Sequence, residues 1–286
     1  MARIAIIGGG SMGEALLSGI LRAGRNAKDV VVAERVAERA DQLSRTYSVR
    51  AVSIEEAVEN SAFVILAVKP GDVESVVATI ASSAAQAEPS HVEQVLISVA
   101  AGVTTGFFEA RLPAGSPVIR VMPNAPALVG AGISALAGGR FATAEQLAAA
   151  ADLFSGAGQA LIVPESQIDA VTAVSGSGPA YVFLFVEALV DAGVAAGLSR
   201  AVATDLAVQT LAGSAAMLLE RRESATAATA GRPDTTAAEL RAMVTSPGGT
   251  TAAGLRELER GGLRAAVAAA VDAAKTRSEQ LGITSE

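Results

Sequence analysis

Gly8, Gly10 and Gly13 follow the short apolar run 3–7 and lead into a helical pattern over 14–23, the order expected of a strand, a tight turn and a helix N-terminus. In that order each glycine has its own task. Gly8 permits the turn, Gly10 lets backbone approach a pyrophosphate, and Gly13 lets the helix pack closely on the strand. The helix start, with Ser11 and Met12, then offers unpaired N–H groups and a positive dipole end to phosphates. The spacing points to dinucleotide binding, although a glycine-rich turn alone says little in a chain with 28 glycines among 286 residues.

Further candidates lie along the chain. The strand-like run 30–33 ends at Glu34, about 20 residues beyond Gly13, where an acid accepts from the ribose 2′-hydroxyl of NAD and a nearby arginine holds the 2′-phosphate of NADP. Glu34 and Arg35 supply both. On a helix Arg35 and Arg39 share a face and can both approach a phosphate, so the sequence leaves both cofactors open. Lys69 and Asn124 stand at the ends of strand-like runs, where a polar residue serves either a cofactor or a loop. The turn Ser246-Pro247-Gly248-Gly249-Thr250-Thr251 feeds a helix, and its clustered N–H groups suit a carboxylate; an ordinary helix–helix turn has the same look.

These residues need a scaffold, and the pattern supplies one. Continuous apolar runs at 62–68, 95–99 and 117–121 read as strands covered on both faces, with helix-like segments such as 72–85 between them. Alternation of this kind predicts a doubly wound parallel sheet whose ligands lie at the strand C-terminal ends. After 159–163 the β-branched runs stop and Ala/Leu-rich helical stretches begin, which places a domain boundary near Pro164: 1–163, then 164–286. The segment 181–198 is apolar nearly all round, interrupted mainly by Glu187 and Asp191, and needs burial on most sides. A domain of about 120 residues has little interior to give it, so a partner subunit is a natural cover. Ser199 is placed to cap a helix reaching to about 220, Thr236 and Glu239 have capping-box spacing, and 252–260 and 263–280 are helical.

Composition narrows the chemistry. There is no cysteine, hence no disulfide, thiolate ligand or cysteine nucleophile. The single histidine, His91, sits in a polar segment and reads as a surface loop residue, so a Ser-His-Asp triad has no support. Chemistry without a side-chain nucleophile suits hydride transfer from a bound cofactor, and no metal site is expected. A net charge of −7 with scattered basic residues argues against nucleic acid. The longest charge-free window, 121–139, is broken by Pro123, Pro126 and glycines, so no membrane span is expected. The start lacks a signal-peptide shape, and the expectation is a soluble, cytoplasmic protein.

Five stretches together resemble the pyrroline-5-carboxylate reductase family: Ile6-Ile7-Gly8-Gly9-Gly10-Ser11-Met12-Gly13, Ala67-Val68-Lys69-Pro70-Gly71, Met122-Pro123-Asn124-Ala125-Pro126-Ala127, Ser175-Gly176-Ser177-Gly178-Pro179-Ala180-Tyr181 and Ser246-Pro247-Gly248-Gly249-Thr250-Thr251. They run in family order over nearly the whole chain, and the last two are specific as a pair. The resemblance implies a Rossmann-type domain followed by an all-α C-terminal dimerisation domain, a homodimer or higher homo-oligomer, and substrate binding between the domains. It implies that Gly248, Gly249 and Thr250 hold a substrate carboxylate through backbone N–H groups, that Thr251 bonds the ring nitrogen, and that Ala67, Val68, Lys69, Pro70 and Asn124 lie along NADPH. Glu34 departs from the family pattern, where a small polar residue often precedes the arginine, and so keeps NADH as the other candidate. The hydroxyacid dehydrogenases that share the first motif place a lysine early in the helical domain, and 175–198 contains none. Imine reductases are not expected to carry the 246–251 motif. A dinucleotide sensor without turnover has no need of a second anion site.

Overall fold

The computed structural model describes residues 3–59, 61–86, 94–225 and 235–283. His91 and the polar connection 226–234 lie outside them. Contacts divide the chain into two compact units, Met1–Pro179 with Val271–Glu286, and Ala180–Ala270.

The first unit is built on an eight-stranded sheet of β1 (Arg3–Ile7), β2 (Val30–Ala33), β3 (Arg50–Ala51), β4 (Ser61–Leu66), β5 (Val95–Ser98), β6 (Val118–Met122), β7 (Gly132–Gly138) and β8 (Gly158–Ile162), in the order 3-2-1-4-5-6-7-8. The first six strands are parallel in the doubly wound order of dinucleotide-binding sheets. The sheet departs from the all-parallel expectation at one place: β7 runs antiparallel to β6, and β8 then pairs parallel with β7. Helices α1 (Ser11–Arg22), α2 (Ala37–Tyr47), α3 (Ile54–Val58), α4 (Val73–Gln86), α5 (Thr105–Glu109), α6 (Ala144–Ser155) and α7 (Ile168–Val171) belong to this unit.

The strand side chains alternate between two cores, as the period of two requires. Ile4 and Ile6 pack with Leu16, Leu17, Ile20 and Phe154, while Ala5 and Ile7 pack with Val64, Leu66, Val77 and Phe108. Each fully buried Ile or Leu contributes about 1.5–3 kcal/mol relative to exposure. β1 thus has apolar cover on both faces, which is why its sequence reads as a continuous run. A third, smaller core seats Ile168 against Ala135 and Ala137 of β7. Packing therefore divides the chain at a different place from the change in sequence pattern at Pro164, because the first residues of the helical stretch lie against the sheet.

The second unit is helical: most of α8 (Gly178–Ala195), α9 (Arg200–Ala225), α10 (Thr236–Met243), α11 (Thr250–Arg260) and the first part of α12 (Leu263–Ile283). Val190 packs with Ala203 and Ala207, and Arg200 pairs with Asp191 at 2.9 Å, joining α8 to α9. Ser199 caps α9 by accepting from Val202 N–H. The cap of α10 differs from the sequence reading by one residue. Its N-cap is Thr235, which donates its hydroxyl to Glu239, since the chain turns one position before the capping-box spacing suggested. The expected burial of 181–198 is not met within one chain: Phe183 is 67% exposed and Leu184 65%, with Val190 the buried member of the helix. Among the described residues, two helical stretches, Glu165–Ala195 and Arg200–Arg222, are long and apolar enough to cross a bilayer by length and composition. A charge-free window misses the first of these because it carries Glu187 and Asp191. Apolar helices of this length equally serve as faces between subunits.

Candidate functional site: a nucleotide cleft and a glycine turn

The loop between β1 and α1 is held by the strands on either side. Gly8 N–H donates to Ala33 at 2.8 Å and Ala67 N–H to Ile7 at 2.7 Å, tying the loop to the ends of β2 and β4. Gly8 has φ +101°, and a Cβ there would stand 2.6 Å from the Ala67 carbonyl oxygen, so any side chain is excluded twice over. At Gly13 a Cβ would meet the Gly8 carbonyl oxygen at 2.0 Å, which is the close helix–strand packing that the third glycine serves. Gly10 is the opposite case: nothing lies within 4 Å of where its Cβ would be. The three positions thus have three different physical reasons, and Gly10 is the one that leaves room for a ligand against the backbone. Ser11, Met12 and Gly13 form the first turn of α1, whose N-cap is Gly10.

A cleft of about 600 Å³ opens beside this loop, lined by Gly8, Gly10, Glu34, Arg35, Val68 and Lys69 among others. Six of the candidates taken from sequence thus meet on one surface. Ala67 is the backbone contact under Gly8, and Pro70 begins the short turn that leads into α4. Asn124 does not line this cleft. It stands at the end of β6, where its Oδ1 accepts from Ile133 N–H at 2.9 Å and fixes the start of β7.

The two residues that left the cofactor open behave differently. Glu34 is engaged by backbone: Oε2 accepts from Gly9 N–H at 2.7 Å and Oε1 from Val36 N–H at 2.8 Å. Arg35 extends into the cleft mouth with its side chain 85% exposed, and its contact there is a loose ion pair with Asp72 at 3.7 Å. Arg39 does not accompany Arg35. It turns inward, donating from Nε to the Gly9 carbonyl at 2.8 Å and pairing with Glu14. The shared helix face inferred for the two arginines fails because Arg35 precedes α2.

Part of the cleft lining went unnoticed in the sequence: Val52, Ser53, Ile54 and Glu55, together with Asp72, Ser75 and Thr79. A signal was available, since Ser53 followed by Glu55 and Glu56 is a helix-start signature, and Ser53 does cap α3 by accepting from Glu56 N–H. The backbone N–H of Glu55 itself, and then the Ser53 hydroxyl, hold the Glu55 carboxyl below the usual carboxylate range.

In the second unit, residues 245–249 make the turn before α11. Gly248 has φ +70°, Gly249 N–H donates to the Ser246 carbonyl at 3.1 Å, and Gly249 is the N-cap. A glycine cap has no side chain, and the first turn of α11 carries no acid, so the N–H groups at its start are left to an external acceptor. Thr250 and Thr251 open that turn and are exposed.

Comparisons with known proteins agree with this geometry in both halves. Residues 165–281 match the family model for pyrroline-5-carboxylate reductase dimerisation, and residues 3–102 match a model described as NADP oxidoreductase, coenzyme F420-dependent. A pyrroline-5-carboxylate reductase of Mycobacterium tuberculosis is 66% identical, with 100% of this chain and 99% of the relative covered. One from Corynebacterium melassecola is 44% identical over 99% of each. Among solved structures, a pyrroline-5-carboxylate reductase from Coxiella burnetii has a TM-score of 0.87 at 33% identity, and a Plasmodium falciparum pyrroline carboxylate reductase with NADP bound has 0.80 at 30%, each covering 98% of both chains. Full-length identity of this degree, with the sheet order, the glycine loop and the 246–251 turn in place, makes the chain a member of the pyrroline-5-carboxylate reductase family.

Proposed function

We propose that the protein reduces Δ1-pyrroline-5-carboxylate to L-proline with NADPH, the last step of proline synthesis. The observation that carries the cofactor half is the glycine loop: Gly10 offers bare backbone at the head of α1, the fit required by a pyrophosphate. The solved relative with NADP bound supports the same choice. So does the pairing of an engaged Glu34 with an outstretched Arg35, which favours a 2′-phosphate over a ribose diol.

When bound, the reduced nicotinamide supplies the hydride. The chain's part is positioning, which is capable of providing much of the acceleration. Gly10, Ser11 and Met12 hold the pyrophosphate at the head of α1, Gly8 and Gly13 shape the loop that does so, and Arg35 meets the 2′-phosphate. Ala67, Val68, Lys69, Pro70 and Asn124 run beside the rest of the cofactor. The N–H groups of Gly248 and Thr250, in the turn opened by Ser246 and Pro247, hold the substrate carboxylate, while that of Gly249, expected to join them, is already given to the Ser246 carbonyl and shapes the turn. Thr251 orients the ring nitrogen by hydrogen bonding; a hydroxyl is too weak an acid to protonate it strongly, so the proton comes from solvent. The imine carbon, made electrophilic by protonation of the nitrogen, accepts the hydride.

The 1–163 and 164–286 division is a division of tasks, and the dimerisation model's start at residue 165 supports it. The exposed apolar residues of α8 and α9 fit a homodimer or larger homo-oligomer. A cytoplasmic setting fits an enzyme that draws on NADPH for biosynthesis. Mixing the purified protein with pyrroline-5-carboxylate and either NADPH or NADH tests the reading: absorbance of the reduced nicotinamide falls, faster with NADPH. No fall with either cofactor overturns it.

A further inference from the structure

Gly9 occupies the variable position between Gly8 and Gly10, yet it is closely packed on one side. A Cβ there would meet Leu43 Cδ1 at 2.5 Å and Glu34 Oε2 at 3.1 Å. Both of its backbone polar groups are taken by side chains distant in sequence. Glu34 accepts from Gly9 N–H at 2.7 Å, and Arg39 Nε donates to the Gly9 carbonyl at 2.8 Å. Arg39 is itself fixed, donating to Gln42 through Nη1 at 2.9 Å and to Glu14 through Nη2. Tyr47 donates its hydroxyl to the other Glu14 oxygen at 3.1 Å. With three separate acceptors on one planar fork, the Arg39 guanidinium has a single orientation, and its side chain is 23% exposed against 85% for Arg35.

We infer that Arg39, with Glu34, is a positioning residue that clamps Gly9 from the α2 side and so presets the pyrophosphate loop, and that Arg39 takes no part in choosing between NADPH and NADH. The inference rests on the proposed role of that loop. Three successive glycines carry more backbone freedom than any other residues, and a loop of them bound to a ligand would have to surrender it on binding. Charge-assisted bonds to both sides of Gly9 remove that freedom beforehand. Of the two arginines, Arg35 is then the one left to face the cleft.

Calorimetric binding of NADPH, NADH and adenosine 2′-phosphate separates the roles, because the last ligand carries the 2′-phosphate and no pyrophosphate. Arg39→Met is expected to weaken NADPH and NADH by the same factor, about tenfold for the loss of one charge-assisted bond. It should leave adenosine 2′-phosphate unaffected. Arg39→Lys, which keeps the charge and loses the fork, should fall between, and melting temperatures of both variants check that they are folded. Arg35→Met should weaken NADPH and adenosine 2′-phosphate and spare NADH. Selective loss of NADPH and adenosine 2′-phosphate in Arg39→Met overturns the inference, as does equal weakening of all three ligands, no weakening of any, or full rescue by lysine. Failure of the unaltered protein to bind any of the three removes the nucleotide reading itself, and the clamp with it.

Discussion

Tyr47 stands at the end of the chain of contacts that begins at Gly9. Burial, followed by the hydrogen bond to Glu14 and that carboxylate's negative charge, raises its phenol above the ordinary tyrosine value. The sign follows directly. The folded protein favours the neutral phenol, so the contribution is complete below the unfolded tyrosine pKa of ~10 and is lost as pH rises through the raised folded value. Tyr47→Phe removes a hydrogen bond worth about 1 kcal/mol. Its melting temperature should lie below that of the parent at pH 8 and converge with it in strongly alkaline buffer. A gap that widens with pH would contradict the assignment. The fingerprint glycines were legible at this scale because each is required by local backbone geometry. Gly9 was not, since its reason lies in Glu34 and Arg39, 25 and 30 residues away.

Among the elements, β1, β2, β4, β5 and β6 are legible as apolar runs, while the two-residue β3 and the longer β7 are not. Its sequence, Gly132–Gly138, is rich in small residues where a buried strand is expected to carry Val or Ile. The structure supplies the cause. A Cβ on Gly132 would stand 2.8 Å from backbone atoms of Ala127, and one on Gly158 would stand 1.9 Å from the Gly132 carbonyl oxygen. Close backbone approach selects small side chains and erases the strand signal. The end of α12 is likewise fixed by contacts that no local pattern reveals. Arg120 on β6, its side chain 5% exposed, faces Glu165 at 3.5 Å and Asp169 at 3.8 Å, and Ser278 of α12 donates to Asp169 at 2.6 Å. Glu165 also accepts from the Thr105 N–H and hydroxyl at the start of α5. Removing the cation leaves two carboxylates facing each other in a partly buried site, so Arg120→Met should cost about 3 kcal/mol. The urea midpoint should fall, and amide exchange over 271–283 should quicken. An unchanged midpoint would mean the cluster contributes nothing to the fold.

For the whole molecule, the helical unit reads as half of an interface. Phe183, Leu184 and Leu206 are each more than half exposed, an apolar surface beyond what an isolated soluble chain ordinarily presents. The apolar character of 181–198 is legible in its residues, where Glu187 and Asp191 are the main interruptions, while no local pattern names what covers it. Light scattering should give a mass at least twice the chain's 28.5 kDa. Phe183→Glu, which places a charge in the covered face, should drive the mass toward that of one chain. A parent protein that is monomeric at micromolar concentration would remove the oligomer from the account.

The central claim is that the protein moves a hydride from a reduced nicotinamide to the carbon of a cyclic imine. The most direct test follows the hydride itself. NADPH carrying deuterium at the transferred position of nicotinamide C4 is incubated with pyrroline-5-carboxylate and the enzyme, and the proline formed is examined by mass spectrometry. One deuterium per molecule, at the ring carbon that was the imine carbon, is the predicted result; proline without the label, or no proline at all, would contradict the account.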